Sequence, residues 1–355
     1  MNLSPNTTRY LKSGLVMAGI VIALLCADTL FWWRTTDTIE AEIEARRAAL
    51  ETAGWTMTVE QSTRGGWPFG AWVTMTSPHL SHERSIRAPF DAGWSGTRLR
   101  VGGLWPDLIQ AGFPVLLSGR HAARFIAPTL QLTILSQDLH LRFSADHETT
   151  FASPSTQIAL TTGFLDQSIA LTGVSGRLLT IPNALPDSTR LGLELSAQTL
   201  NSPALTSLKL SFRNAHLVAA LTPSAQKDAS SFFSLGGYDR LLLQTATFSI
   251  GSKPDASRLS FSGSLDLPAV TGHLTLNLLN WHNAAEQLLN TASARTALSP
   301  DLQAILQHML REQPSSILKQ AQPLVVDLPI LNGHFPLSLE TLLQNISTQK
   351  IDVSH

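Results

Sequence analysis

The stretch Leu130-Gln-Leu-Thr-Ile-Leu-Ser-Gln-Asp-Leu-His-Leu-Arg-Phe143 decides the fold. Leu130, Leu132 and Ile134 alternate with Gln131 and Thr133, then Leu139, Leu141 and Phe143 alternate with His140 and Arg142. Successive side chains of a strand point to opposite faces, so such period-two runs make strands with one apolar and one polar face. The pattern recurs at Ile158 and Leu160, at Ile169 and Leu171, and at Leu191, Leu193 and Leu195. It returns at Leu208, Leu210 and Phe212, at Leu259, Phe261 and Leu265, and at Leu274, Leu276 and Leu278. Ser153-Pro154-Ser155, Pro182-Asn183, Pro186-Asp187, Pro203 and Lys253-Pro254-Asp255 read as turns between strands. Strands buried on both faces would be continuous apolar runs joined by crossover helices. The pattern therefore predicts a mainly β chain: a long curved antiparallel sheet, partly closed or grooved.

Upstream, Trp55, Met57 and Val59 open a strand, and Ala71 to Thr76 return after the loop Arg64-Gly-Gly-Trp-Pro-Phe-Gly70. Before them, Thr36 is placed to cap a stalk helix with Ile39, Ile43 and Leu50 along one side, a Glu42/Arg46 pair and Gly54 as its stop. Gly14 to Ala27 is unbroken apolar residues and glycine, and Leu30-Phe-Trp-Trp33 extends it to about the twenty residues that cross a bilayer core. Trp32 and Trp33 form an aromatic belt before Arg34, and Arg9 and Lys12 lie on the near flank. Those cations favour a cytoplasmic N-terminus and an exported remainder. Asp28, a turn from the belt, is expected to reach headgroup water. Cleavage after Ala27 or Cys26 would put Leu25 or Leu24 at the −3 position, which argues for an uncleaved anchor. Leu25 before Cys26 also argues against a lipoprotein signal.

Helices return near the C-terminus. Trp281, Ala284, Ala285, Leu288, Leu289 and Ala292 share a helical face. Ser299 caps a second helix with Pro300 at its first position and a stripe of Leu302, Ile305, Leu306, Met309 and Leu310; Pro314 ends it. The two are expected to lie as a lid across one end of the apolar face. Pro323 to Leu331, the Asn332-Gly333 turn and His334 to Leu339 predict a closing hairpin. The organisation is then a cytoplasmic tail (1–13), a transmembrane anchor (14–33), a stalk (34–54), a periplasmic β-rich domain (55–346) and a polar tail (347–355).

Composition narrows the function classes. Of 355 residues, 43% are apolar, which excludes a disordered chain, and 25 basic against 26 acidic residues leave no charge to draw nucleic acid. A single cysteine excludes a disulfide framework and a cysteine-built zinc site. Neither a nucleophile elbow, a P-loop, a zincin motif nor a dinucleotide glycine pattern occurs. Two S-x-x-K matches, at Ser224 and Ser316, lack the partner motifs of their enzymes, so no catalytic residue and no cofactor is expected. His79 and His82 are three apart, which on a strand points them to opposite faces and defeats chelation unless a turn, which Pro78 and Ser81 permit, intervenes. Trp55, Trp67, Trp72, Trp94 and Trp105 crowd one stretch, as a packed aromatic corner, an acyl-chain wall or a sugar platform. Arg98 and Arg100 share a strand face in a locally basic region, a geometry for anionic headgroups and equally a solvated outer face.

Gly54-Trp55, Arg64-Gly-Gly-Trp-Pro-Phe-Gly70, Thr76-Ser-Pro-His-Leu80, Ile86-Arg-Ala-Pro89 and Val326-Asp-Leu-Pro-Ile-Leu-Asn-Gly-His-Phe-Pro-Leu337 together resemble the bacterial domain of unknown function 2125. The closing segment also resembles the terminal hairpin of AsmA-like envelope proteins. The resemblance implies a periplasmic, β-rich architecture over nearly the whole chain after the anchor, and no catalytic residues. Three readings stand: a non-enzymatic protein of envelope lipid handling or integrity, a scaffold for envelope proteins, and an enzyme on envelope lipids or glycans. The expected partners are the membrane, a lipid or acyl chain, and envelope proteins.

Overall fold

The computed structural model describes residues 5–85, 90–109, 113–127, 130–144, 146–162, 166–181, 185, 188–203, 206, 212–223, 238–251, 257–267, 270–291, 296, 300–312 and 323–332. Among them one helix, α1 (Pro5–Thr52), holds the whole N-terminal region. Its first half is long and apolar enough to cross a membrane, and its apolar side chains, such as Val16, Ile20 and Leu24, are exposed. Thr36 does not start a second helix. It lies mid-helix and fully buried, its hydroxyl 3.0 Å and 2.9 Å from the carbonyls of Trp32 and Trp33, because no breaker separates anchor from stalk. Gly54, at φ 85°, follows the end of the helix.

The rest is a meander. β1 (Trp55–Thr58), β2 (Gln61–Gly65), β3 (Gly70–Thr76) and β4 (His79–His82) make an interrupted hairpin: β2 pairs with β3 and β1 with β4. β3 and β4 then pair with successive parts of β5 (Asp91–Leu104). After the short α2 (Trp105–Ile109) come β6 (Phe113–Ala127), β7 (Leu130–Phe143), β8 (Glu148–Thr162) and β9 (Asp166–Thr180). β10 (Leu191–Asn201), β11 (Phe212–Pro223), β12 (Tyr238–Ile250), β13 (Ser257–Asp266) and β14 (Thr271–Leu279) continue the series. Two helices, α3 (Trp281–Asn290) and α4 (Pro300–Glu312), precede β15 (Leu324–Ile330), which pairs with β14. From β5 to β15 every strand lies antiparallel beside its chain neighbours, and no described pairing joins the two ends. The sheet is mainly antiparallel, long and open. The second strand of the closing hairpin, both S-x-x-K matches, Ser299 and the 182–183, 186–187 and 253–255 turns fall outside the described residues.

Two expectations about turns are corrected. The runs at Leu130 and Leu139 are one strand, β7, and Ser153-Pro154-Ser155 lies inside β8. Asp138 (φ 48°) interrupts β7 without ending it, beside Gly119 (φ 83°) in β6 and in line with Gly173 (φ 57°) in β9 and Asn214 (φ 51°) in β11. The Asp138 carboxylate accepts the Gly119 N–H at 2.8 Å, and Ser153 Oγ lies 2.8 Å from the carbonyls of Gln137 and Ser155. These local hydrogen bonds, and residue types that tolerate left-handed backbone, let a line of bulges cross the sheet while pairing resumes on both sides.

Candidate functional site

Directly paired residues of neighbouring strands share a face, so the register assigns every side chain to one side of the sheet. One paired row runs Val73, Val101, Val115, Leu141, Phe151, Gly176, Leu195, Leu217, Ala246, Phe261, Leu276 and Val326, from β3 to β15. All twelve positions are apolar or glycine. At about 4.8 Å per strand the row is roughly 50 Å long. A parallel row through Leu178, Leu193, Ala219 and Leu243 and another through Leu191, Leu221, Leu241 and Leu265 widen it. Beyond the bulges the face continues: Leu171, Val174, Ala197 and Ala215 are buried beneath Phe151, Ile158, Ile169, Leu195, Leu200 and Phe248.

Gly176 breaks the row in chemistry only. A Cβ there would lie 2.5 Å from Phe151 Cζ and 2.2 Å from the Glu194 carbonyl oxygen. The phenyl ring thus covers the bare backbone, so the apolar surface has no gap.

Helices cover the two ends of this face. α1 packs on β1 and β3, with Ile39 buried against β3 and β5 near Gly102. At the far end Trp281 and Ala285 of α3 are buried with Leu324, Val326 and Leu328 of β15, and Ile305, Leu306 and Leu310 of α4 pack against that cluster. Leu288 and Leu289 are half-buried, and the side chains of Met309 and Leu302 fall outside the described residues. Along β7 to β11 the apolar positions of the row, Leu141, Phe151, Leu195 and Leu217, are half-buried.

The opposite face is polar. Thr74, Arg100, Leu116, His140, Ala152, Ser175, Ser196, His216, Thr247, Ser260 and Asn277 form the matching row. A cleft of about 690 Å³ lies on it, with Arg100, His140, Arg142, Arg177, Asp107 and Glu194 in its lining. Arg142 pairs with Asp107 at 3.6 Å and Arg177 with Glu194. The Arg100 guanidinium sits 4.9 Å from the centre of the Trp72 ring, a cation–π contact.

The residues singled out by sequence therefore separate. Arg98, Arg100 and Trp72 are on the polar face; Trp94 is paired with Ala123 in line with Ile134, Ile158 and Ile169 on the apolar face. Trp55 is on that apolar side, its ring 5.2 Å from His82, and His79 points the other way and is exposed. The sheet itself lies between the apolar row and the side chains of Arg98 and Arg100. Trp94 stacks on His121 with ring centroids 5.8 Å apart and planes 6° apart. His121 is 3% exposed, and burial holds its pKa below the ordinary histidine value. Among the described residues no three His, Cys, Asp or Glu side chains are grouped to hold a metal ion.

A third set gathers at the base of α1. The Trp32 indole N–H donates to the Gly65 carbonyl at 2.9 Å, and that of Trp67 to Thr29 Oγ1 at 3.2 Å. Trp105 N–H donates to the Pro68 carbonyl at 2.7 Å, and its ring lies 5.0 Å from Phe31. Arg64 pairs with Asp37 and Glu40 farther along the helix. Trp33 and Arg34 are exposed. The sequence shows Trp32, Trp67 and Trp105 as tryptophans near one another in the chain's first third. What was not legible was that Trp32 turns back to the sheet.

A family model described as an uncharacterized protein conserved in bacteria (DUF2125) matches residues 32–330. Neither a curated protein nor a solved structure matches the chain.

Proposed function

The chain belongs to the DUF2125 family of bacterial proteins, and from that premise we propose that it is a membrane-anchored envelope protein that holds lipid acyl chains on one face of its sheet. In this reading α1 spans the inner membrane, the sheet stands in the periplasm, and the protein acts by binding rather than by catalysis. The observation that carries the reading is the unbroken apolar row from Val73 to Val326. A sheet face this long must be covered by protein or by an apolar ligand. Half the hydrocarbon core is about 15 Å thick, so a row of roughly 50 Å has room for several chains end to end.

A photo-crosslinking amino acid at Leu217, on the row, and at Val218, on the other face, tests it in intact cells. Irradiation is expected to give lipid adducts at 217 and none at 218, read by mass spectrometry of the purified chain. Adducts to protein at 217 would favour the scaffold reading. Equal lipid labelling at both positions, or none at either, would remove the basis for lipid handling.

A further inference from the structure

The base of α1 carries more than a tether. The loop between β2 and β3 exposes Trp67 (49%) and Phe69 (74%), and the segment from β5 into α2 exposes Leu104 (48%) and Ile109 (84%). The two segments are locked together: the Trp105 backbone N–H donates to the Phe69 carbonyl at 3.0 Å and the Trp105 indole to Pro68. Both are also locked to α1 at Thr29 and Phe31, inside the last turn of its apolar run. Large apolar side chains in water at that density need a reason.

The polar boundary lies just beyond them. Arg64, in β2 just before the same loop, is paired to Asp37 and Glu40. At 1.5 Å of rise per residue those carboxylates stand about 6 to 10 Å farther along the helix axis than Trp33. Apolar tips level with the end of the span, and an ion-pair cluster one to two turns above, reproduce the layering of a bilayer surface. Hairpin tips farther along the same end of the sheet carry Phe143 and Leu185, 45% and 74% exposed.

We propose that the β2–β3 loop and α2 are a second membrane element, which inserts Trp67, Phe69, Leu104 and Ile109 into the leaflet from which α1 emerges. The occupant of this apolar patch is the bilayer itself, and the inference rests on reading α1 as the anchor. It seats the β3–β5 end of the apolar row at the lipid surface. The sheet then meets the membrane through a fixed wedge, and its distance from the bilayer is set by Trp67, Trp105 and Arg64 together.

Depth measurement by spin labelling separates the two ideas. In a Cys26→Ser background, single cysteines at Phe69→Cys, Ile109→Cys, Ile22→Cys and Glu83→Cys carry a nitroxide. The full chain is reconstituted in vesicles of phosphatidylethanolamine and phosphatidylglycerol. Labels at 69 and 109 are expected to collide with oxygen several-fold more, relative to a water-soluble nickel chelate, than the label at 83. If 69 and 109 match 83 while 22 reads hydrocarbon, the anchor stands and the wedge is wrong. If 22 also reads water, the anchor and the wedge fall together.

Discussion

At the scale of single residues, small groups keep the apolar face continuous. Gly176 leaves room for Phe151, and Gly96 leaves room for His121: a Cβ at Gly96 would lie 2.3 Å from His121 Nδ1. Burial displaces the titration of His121 on this face downward. Its ring stacks on Trp94, and hydrogen bonding to the Ser118 carbonyl, 3.2 Å from Nε2, then to the Leu117 backbone, and last the more distant carboxylate of Asp138 partly offset the desolvation. Unfolded, a histidine titrates near 6.5, and here the folded value is lower, so below about pH 6.5 the unfolded chain binds the extra proton. Folding is therefore weakened as pH falls through that window. The melting temperature of the wild type should drop more between about pH 7 and pH 5 than that of His121→Phe, which keeps the stack on Trp94 and cannot titrate. Parallel curves would mean that His121 is not the group responsible.

At the scale of elements, period-two patterning read the strands wherever alternation was uninterrupted, as in β10 and β14. It passed over β6 and β12 and touched β5 only at the strand face of Arg98 and Arg100, for a local reason. Register shifts fall between Gly96 and Arg98, between Leu117 and Arg120, and between Leu243 and Ala246. Each bulge inserts a residue, so the apolar face changes phase in the sequence while staying the same face in space. Propensity alone does not announce such a shift. Helical stripes do not suffer this, which is why α3 and α4 were visible as amphipathic segments. Their packing gives a direct check. Leu306 packs against the cluster around Trp281, whereas Gln307 beside it is exposed. Leu306→Asp is expected to cost about 3 kcal/mol, and Gln307→Asp about 0.5 kcal/mol or less, in thermal unfolding of the detergent-solubilised chain. Equal effects would show that α4 does not rest on the sheet.

At the scale of the whole molecule, α1 and the sheet pack as a single unit. Thr29, Phe31, Trp32, Thr36 and Ile39 all contribute to the packing at the base of α1 or on the sheet. Leu24 and Leu25 at the −3 positions of the candidate cuts predict an uncleaved chain, and a phosphatase fused after Ala53 is expected to be active because it is exported. A mature N-terminus near Cys26 or Asp28, or an inactive fusion, would overturn this. Sequence reading reached the fold class because alternation is a property of each strand by itself. It did not reach the division of candidate residues between faces. That depends on register across neighbours, and Arg100 and Trp94 are only six residues apart in β5 yet lie on opposite sides.

The strand order has a consequence for how the protein is made. From β5 onward every strand pairs with the strand just before it in the chain, so no closing contact waits for a distant segment. A chain that emerges N-terminus first presents each new strand to an edge already built beside α1. Synthesis and sheet growth can then advance in the same direction, each step closing the segment between consecutive strands rather than one spanning the chain. The unfinished edge moves along with the growing chain until β15 is laid down, and until then it is the place where a chaperone or a second nascent chain competes for the same backbone groups.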